Sequence, residues 1–261
     1  MSGAVLSILA ACSAGERPGG GGGYDSLLRI ADGMVQTDPL NAVPLYRRAH
    51  ELNPGSPEPL VRVGQAMLLV GNPPEAAAAF QDALKLRSND PDALRGLGAA
   101  LIAMDQAELA LGQYEAAMRA DSNDPRALNG AGVALDVLGR HDEAQARYAE
   151  ALRVDPNYLP ARNNYGLSLV SSGRYPEAID VLLVAARHPE ASPRTRGNLA
   201  LAYGMQGEME QALRWLRADM DAVSANRYLA YFGQLRSAGP AVAAASIRAN
   251  PEYYPRGGSR Q

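Results

Sequence analysis

The sequence predicts an all-α solenoid of antiparallel helix pairs, and three observations carry that prediction. First, alanine-rich segments with helical spacing recur along the 261 residues. Laid out in blocks of 34 from Gly23 they give 23–56, 57–90, 91–124, 125–158, 159–192 and 193–226, with no insertion or deletion. Second, block position 20 is alanine in every block: Ala42, Ala76, Ala110, Ala144, Ala178 and Ala212. Position 27 is alanine in all but the sixth, where Asp219 stands. Third, position 24 is always large (Tyr46, Phe80, Tyr114, Tyr148, Leu182, Leu216). Position 8 is small in the last five blocks (Gly64, Gly98, Gly132, Gly166, Ala200). Small residues at 8 and 20 let two helix backbones approach, and the side chain at 24 fills the space between neighbouring hairpins.

Each block then reads as a helix over positions 1–14, a turn, and a second helix over 18–30. The first block departs most: Arg29, Ile30 and Gly33 occupy positions 7, 8 and 11. Pro44 lies inside its second helix, where proline costs about 3 kcal/mol. It is expected to be an atypical terminal cap, closed by Asn53-Pro54. The second block turns at Gly71 and restarts at Pro74, a first helical position where a missing N–H is harmless. The third pairs Gly98 with Tyr114. The fourth turns at Gly139 and stops at Asp155-Pro156, the fifth turns at Gly173 and restarts at Pro176, and the sixth turns at Gly207. Residues 227–236, with Tyr228 to Leu235 at their centre, continue the register as a capping helix. Residues 237–261 form a C-terminal extension with a frayed end from 249. Stacked hairpins bury one continuous core, so the domain 24–236 is expected to fold as a unit that no single block could form alone.

Composition narrows the function. A net charge of −3 and a pI near 5.7 leave no basic footprint for nucleic acid. The single cysteine, Cys12, excludes an intrachain disulfide framework. No catalytic constellation is legible. The three histidines fall in separate repeats, and His141-Asp142-Glu143 are consecutive, so their side chains point about 100° apart instead of converging. Those acids read as first-turn residues favoured by the helix dipole. Gly19–Gly23 lacks the Lys-Ser or Lys-Thr of a phosphate loop and reads as part of a flexible linker over 13–23. No enzyme activity, cofactor, metal or small-molecule substrate is expected.

The 34-residue period, with Leu97-Gly98, Leu101, Ala110, Tyr114 and Ala117 or Tyr165-Gly166, Leu169, Ala178 and Ala185, resembles the tetratricopeptide repeat. The resemblance implies a right-handed superhelix of about six repeats whose first helices line a concave groove through positions 2, 5, 6, 9, 12 and 13. The candidate groove residues are Arg62, Gln65, Leu69, Arg95, Ala99, Ile102, Asn129, Val133, Asp136, Val137, Asn163, Asn164, Leu167, Val170, Asn198, Leu201 and Met205. Asparagine carries both donor and acceptor and can pair with any peptide backbone, while the aliphatic neighbours supply apolar area. Asn164 and Asn198, at position 6, equally suit a structural role; Asn129 and Asn163, at position 5, are less easily read that way. The family's carboxylate clamp is incomplete, with Ala99 and Gly130 where it needs polar side chains.

Residues 193–236 carry a narrower resemblance, to the repeat lipoproteins of tight-adherence (Flp-type) pilus assembly. Its elements read Arg196-Gly197-Asn198-Leu199-Ala200-Leu201-Ala202-Tyr203-Gly204, then Arg217-Ala218-Asp219-Met220, then Leu229-Ala230-Tyr231-Phe232-Gly233-Gln234-Leu235-Arg236, with Met220 and Phe232 as departures. It implies an outer-membrane lipoprotein, on the periplasmic face, that helps a secretin ring assemble by holding a secretin segment in the groove. Leu9-Ala10-Ala11-Cys12 fits a lipid-attachment signal over 1–12, although no basic residue precedes the apolar stretch 4–11. Other readings stay open: an adaptor of the periplasm or cytoplasm unrelated to pili, or an assembly part that self-associates through Tyr231, Tyr253 and Tyr254.

Overall fold

The structure, a computed structural model, describes residues 21–249. They form fourteen helices and no strand. Six hairpins come first: α1 (Gly21–Met34) with α2 (Pro39–Leu52), α3 (Glu58–Leu69) with α4 (Pro73–Leu86), and α5 (Pro91–Ala103) with α6 (Ala107–Ala120). Then come α7 (Pro125–Val137) with α8 (His141–Val154), α9 (Leu159–Ser171) with α10 (Tyr175–Ala186), and α11 (Pro193–Gln206) with α12 (Met209–Leu216). Two further helices, α13 (Ala222–Ala238) and α14 (Pro240–Ala249), complete the described chain. Each helix packs on its neighbours in sequence, and from α3 to α9 each first helix also packs on the first helix of the next repeat, as in a solenoid.

Local chemistry explains the punctuation. Asp38, Asn72, Asp90, Asp124 and Ser192 accept a first-turn backbone N–H and so satisfy donors that a helix start leaves open. Position 15 turns every hairpin from the second onward in a left-handed conformation. Gly71, Gly139, Gly173 and Gly207 sit at φ of 72°, 76°, 78° and 100°. The third hairpin uses Asp105 at φ 58°, the one described non-glycine residue with positive φ. The second helix of every pair starts one residue earlier than the period predicts. Pro74 and Pro176 are therefore second helical residues, still in the first turn, where N–H groups have no intrahelical acceptor. Helix α2 runs unbroken through Pro44.

The packing rule at positions 8, 20 and 24 is fully realised. All six alanines at position 20 have no solvent exposure, and Tyr46, Phe80, Tyr148, Leu182 and Leu216 are buried beside them. A Cβ added at Gly64, Gly98, Gly132 or Gly166 would lie 2.3–2.8 Å from the position-24 side chain of the same repeat, which only glycine tolerates.

Three expectations are corrected. Helix α1 starts at Gly21, so Gly21–Gly23 belong to its first turn and not to the linker. The rest of 13–23 and the segment 1–12 with Cys12 lie outside the described residues. Helix α12 stops at Leu216 instead of near residue 222, and the following helix spans Ala222–Ala238 instead of 227–236. The cause is a pair of acids. Asp219 takes a two-pronged guanidinium contact from Arg196 (Nε–Oδ2 2.6 Å, Nη2–Oδ1 2.5 Å), which holds the chain in a turn. Asp221 then caps the new helix, accepting from Val223 N at 2.8 Å and Ser224 N at 3.0 Å. Finally, the C-terminal extension expected from 237 is helical over its described part. Residues 240–249 form α14, which packs on α13 and on α9, with Ala243 and Ile247 buried.

The apolar core has two large parts. One runs from Leu28 to Ala134 and the other from Leu167 to Ile247. Between them, at α7, α8 and α9, small clusters around Leu128 and Tyr148 sit beside a concentration of buried polar groups.

Candidate functional site

The groove is built by the first helices α3, α5, α7, α9 and α11, and the structure divides it. From α3 to α7 it is open and holds a pocket of about 480 Å³ lined by Gln65, Leu68, Arg95, Gly96, Ala99, Ile102, Asn129, Gly130, Val133 and Tyr158, with Phe80 and Tyr114 at its floor. From α9 to α11 the chain covers it. Leu167 and Leu201 have no exposure, and both share a core with Val170, Met205, Phe232 of α13 and Ala243 and Ile247 of α14.

The open pocket brings together Gln65, Arg95, Ile102, Asn129 and Val133 from the residues expected in the groove. Arg62 lies near it on α3 but is engaged by Asp32 at 2.6 Å and Glu58 at 3.2 Å. Asp32 also accepts from the Tyr46 hydroxyl at 2.8 Å, so Arg62 ties the second repeat to the first. Arg95 is likewise engaged. Its guanidinium contacts Asp92 on its own helix and Asp124 at the start of α7, and the Arg95 and Asp124 side chains are mostly buried. A buried guanidinium with two carboxylates is not a free anion receptor; it is an inter-repeat tie whose rupture would leave Asp124 only its bond from Arg126 N and a long contact to the Arg126 guanidinium.

Most of the remaining candidates also join repeats. Asn164 Nδ2 donates to Asn129 Oδ1 at 2.9 Å, and Asn198 Nδ2 donates to Asn163 Oδ1 at 3.0 Å. The asparagines expected to read a peptide backbone thus form two side-chain bridges between consecutive first helices. Asp136, expected on the groove, is fully buried instead. It accepts from the Ser168 hydroxyl at 2.7 Å and the Tyr148 hydroxyl at 2.9 Å, and His141 Nδ1 lies 2.8 Å away. Burial pushes the Asp136 carboxyl up, and the bonds from His141, Ser168 and Tyr148 work against that push. Position 12 faces the neighbouring repeat more than the groove here, because Asp136 follows its donors inward. His141 therefore turns toward Asp136, away from Asp142 and Glu143. Gln145 extends the same seam to Ser172 at 2.9 Å and accepts from Arg174 at 2.6 Å.

Sequence reasoning missed Gly96, Gly130, Leu68 and Tyr158 as pocket residues. The two glycines stand at position 6, where only two of the six blocks carry glycine, so no recurrence marks them. Each faces the position-24 ring of the preceding repeat, and a Cβ there would come within 2.2 Å of Phe80 or Tyr114. Tyr114 itself is distinctive. Its ring is nearly buried at 6% exposure, and burial pushes its hydroxyl up, well above the usual tyrosine value. Tyr46 and Tyr148 donate to Asp32 and Asp136, whereas no hydrogen bond from the described residues reaches the Tyr114 hydroxyl.

Among the described residues no group of His, Cys, Asp or Glu could hold a metal ion, and no described helix is long and apolar enough to cross a membrane. A comparison with curated protein sequences finds no match. Solved structures match the fold. A double mutant of MamA from Desulfovibrio magneticus RS-1 aligns at 25% identity and a TM-score of 0.53, covering 62% of this chain and 91% of its own. Pseudomonas aeruginosa pilF aligns at 16% identity and a TM-score of 0.66, covering 81% and 99%. A tetratricopeptide repeat protein from Parabacteroides merdae aligns at 16% and 0.63, covering 87% and 93%. One tetratricopeptide-repeat model matches residues 64–125, 96–144 and 129–194, and a second matches 193–218. With the helix-pair period, the position-20 alanines and these matches in agreement, the chain belongs to the tetratricopeptide-repeat family.

Proposed function

We propose that this protein is a non-catalytic scaffold, anchored by lipid at Cys12 to the periplasmic face of the outer membrane, that helps a tight-adherence pilus secretin to assemble. The fold suits protein binding: stacked hairpins present an extended concave surface, and part of that surface is open. The narrower reading rests on one observation. The residues through which 193–236 resemble the pilus lipoproteins act together as one unit. Arg196 grips Asp219 and ends α12 early, which frees the chain to start α13. Gly204 then admits Phe232 of α13, whose ring would lie 2.6 Å from an added Cβ. The motif is therefore a device for turning the last repeat into its cap, and a chain that shares its residues shares that ending. In the proposed mechanism the lipid sets the membrane and the groove holds a secretin segment until the ring forms. Three acyl chains at Cys12 would exceed the two signals that stable anchoring needs.

Deleting the gene tests this directly: secretin multimers should disappear from the outer-membrane fraction and return on complementation. Cys12→Ser should abolish fatty-acid labelling and move the protein out of the membrane fraction. Normal multimers in the deletion strain would defeat the pilus reading. An unlabelled wild-type protein would defeat the anchor.

A further inference from the structure

The chain uses one arrangement twice, with different cations. In the first repeat the Tyr46 hydroxyl donates to Asp32 at 2.8 Å, and Arg62 of the next repeat reaches the same carboxylate at 2.6 Å. In the fourth repeat the tyrosine at the same block position, Tyr148, donates to Asp136 at 2.9 Å. Here the next repeat sends a neutral group, the Ser168 hydroxyl, which donates at 2.7 Å. The cation's place is taken by His141, whose Nδ1 lies 2.8 Å from the carboxylate. A guanidinium stays charged throughout, whereas an imidazole ordinarily changes charge at about pH 6.5. Burial separates the two sites as well. The Asp32 side chain is 37% exposed and reaches water, while Asp136 has no exposure and depends on protein groups.

The other charges nearby have partners of their own. On α8, Arg140 pairs with Glu143 at 2.7 Å and Arg147 with Glu150 at 3.0 Å. Glu115 of α6 acts on Arg140, and Asp142 acts on Arg174. Arg174, at the start of α10, donates to Gln145 and Glu177. Helix α9 brings the Ser168 and Ser172 hydroxyls and the Tyr165 ring, which lies 6.4 Å from that of Tyr148. Arg95 of α5, held by Asp92, meets α7 at Asp124, the opposite end from Asp136. The Asp136–His141 pair joins α7, α8 and α9 between the two large cores. Burial raises the Asp136 carboxyl above its ordinary value, so the folded chain keeps a proton on this pair more readily than the unfolded chain does. Stability drawn from that proton is full on the acid side and is lost as pH rises from the ordinary carboxylate value, about 4, through the pair's titration. We infer that the α7–α9 seam is a pH-sensitive joint. With a proton on the Asp136–His141 pair the repeats on either side are coupled; without it the buried carboxylate faces a neutral imidazole and the joint loosens.

Hydrogen exchange of the full chain tests this, read as protection factors that divide out the intrinsic pH dependence of exchange. The first two repeats serve as the internal reference, because their Tyr46–Asp32 site carries the permanent cation Arg62. Between about pH 5.5 and 8.5, protection over 125–171 should fall roughly three- to tenfold relative to that over 39–86. Asp136→Asn removes the charge and keeps the shape, and should remove most of this slope. His141→Arg gives the seam the kind of cation that the first repeat has, and should hold the ratio near its acid value at the alkaline end. Circular dichroism confirms that each variant is folded. A flat wild-type ratio, or a slope that either folded variant retains in full, overturns the inference. The wild-type profile needs no substitution, so a variant that fails to fold leaves the test standing. The outcome is independent of the pilus reading, which the secretin multimers of the deletion strain decide.

Discussion

At the residue scale, two of the aromatic rings at position 24, Phe80 and Tyr114, are held by glycines on two sides. Tyr114 lies between Gly98 of its own repeat and Gly130 of the next, where added Cβ atoms would come within 2.8 Å and 2.2 Å of the ring. Alanine at 130 would gain about 1 kcal/mol of helix propensity. The ring cannot move away from one glycine without meeting the other, so overpacking of about 1–3 kcal/mol should win. Gly130→Ala is therefore expected to lower the urea midpoint; an unchanged or raised midpoint would show that the ring has room. Half of this arrangement was legible in the sequence. Position 8 announced itself by recurring in five blocks, while the position-6 glycines occur in only two and have no pattern to expose them. Asp136 was misplaced for a related reason. Spacing puts it on the groove register, but a carboxylate goes where its donors are, and those donors come from α8 and α9, a repeat-scale distance that a local pattern does not encode.

At the element scale, the period predicted the twelve paired helices closely. It failed where a side-chain interaction overrides it, at the Arg196–Asp219 contact that shortens α12 to eight residues. Helix α14 escaped because its stretch Pro240–Ala249 has no counterpart in the repeat and is mostly small residues, whose burial depends on a distant surface. The turns allow a test. Asp105 occupies the left-handed position that glycine holds in four other hairpins. A Cβ there costs roughly 1–2 kcal/mol, reduced for Asp by local hydrogen bonding and offset in part by glycine's greater freedom when unfolded. Asp105→Gly should stabilise the chain by about 0.5–1 kcal/mol in denaturant titration. A loss of stability would mean that the aspartate's own contacts outweigh the backbone strain.

At the scale of the whole molecule, the two large cores are separated by a seam between α7 and α9, where Asp136, Gln145, Ser168, Asn129 and Asn164 sit among the small apolar clusters around Leu128 and Tyr148. Solenoid stability is a sum of repeat and interface terms, so an interface with more polar and fewer apolar contacts should uncouple the parts on either side. Ala178→Leu overpacks a fully buried site in the second core and should cost about 1–3 kcal/mol. By hydrogen exchange, protection should fall across residues 159–249 and stay largely unchanged over 24–120. A uniform loss over both regions would show one cooperative unit. The two-part division could not be read from the repeat, since the period describes what the blocks share and the seam is made of what they do not.

Among helices in substantial contact, α14 and α9 are the only pair more than two elements apart; every other pair is adjacent or next-nearest in the chain. This has a consequence for the order of events on the ribosome. Each hairpin can settle on the one before it as it emerges, but the face of α9 that carries Leu167 waits for Ile247, made 80 residues later. At about 5–20 residues per second that interval is roughly 4–16 s. For that time the part of α9 on which α14 packs stands uncovered, and the last of the described helices to emerge is the one that closes it.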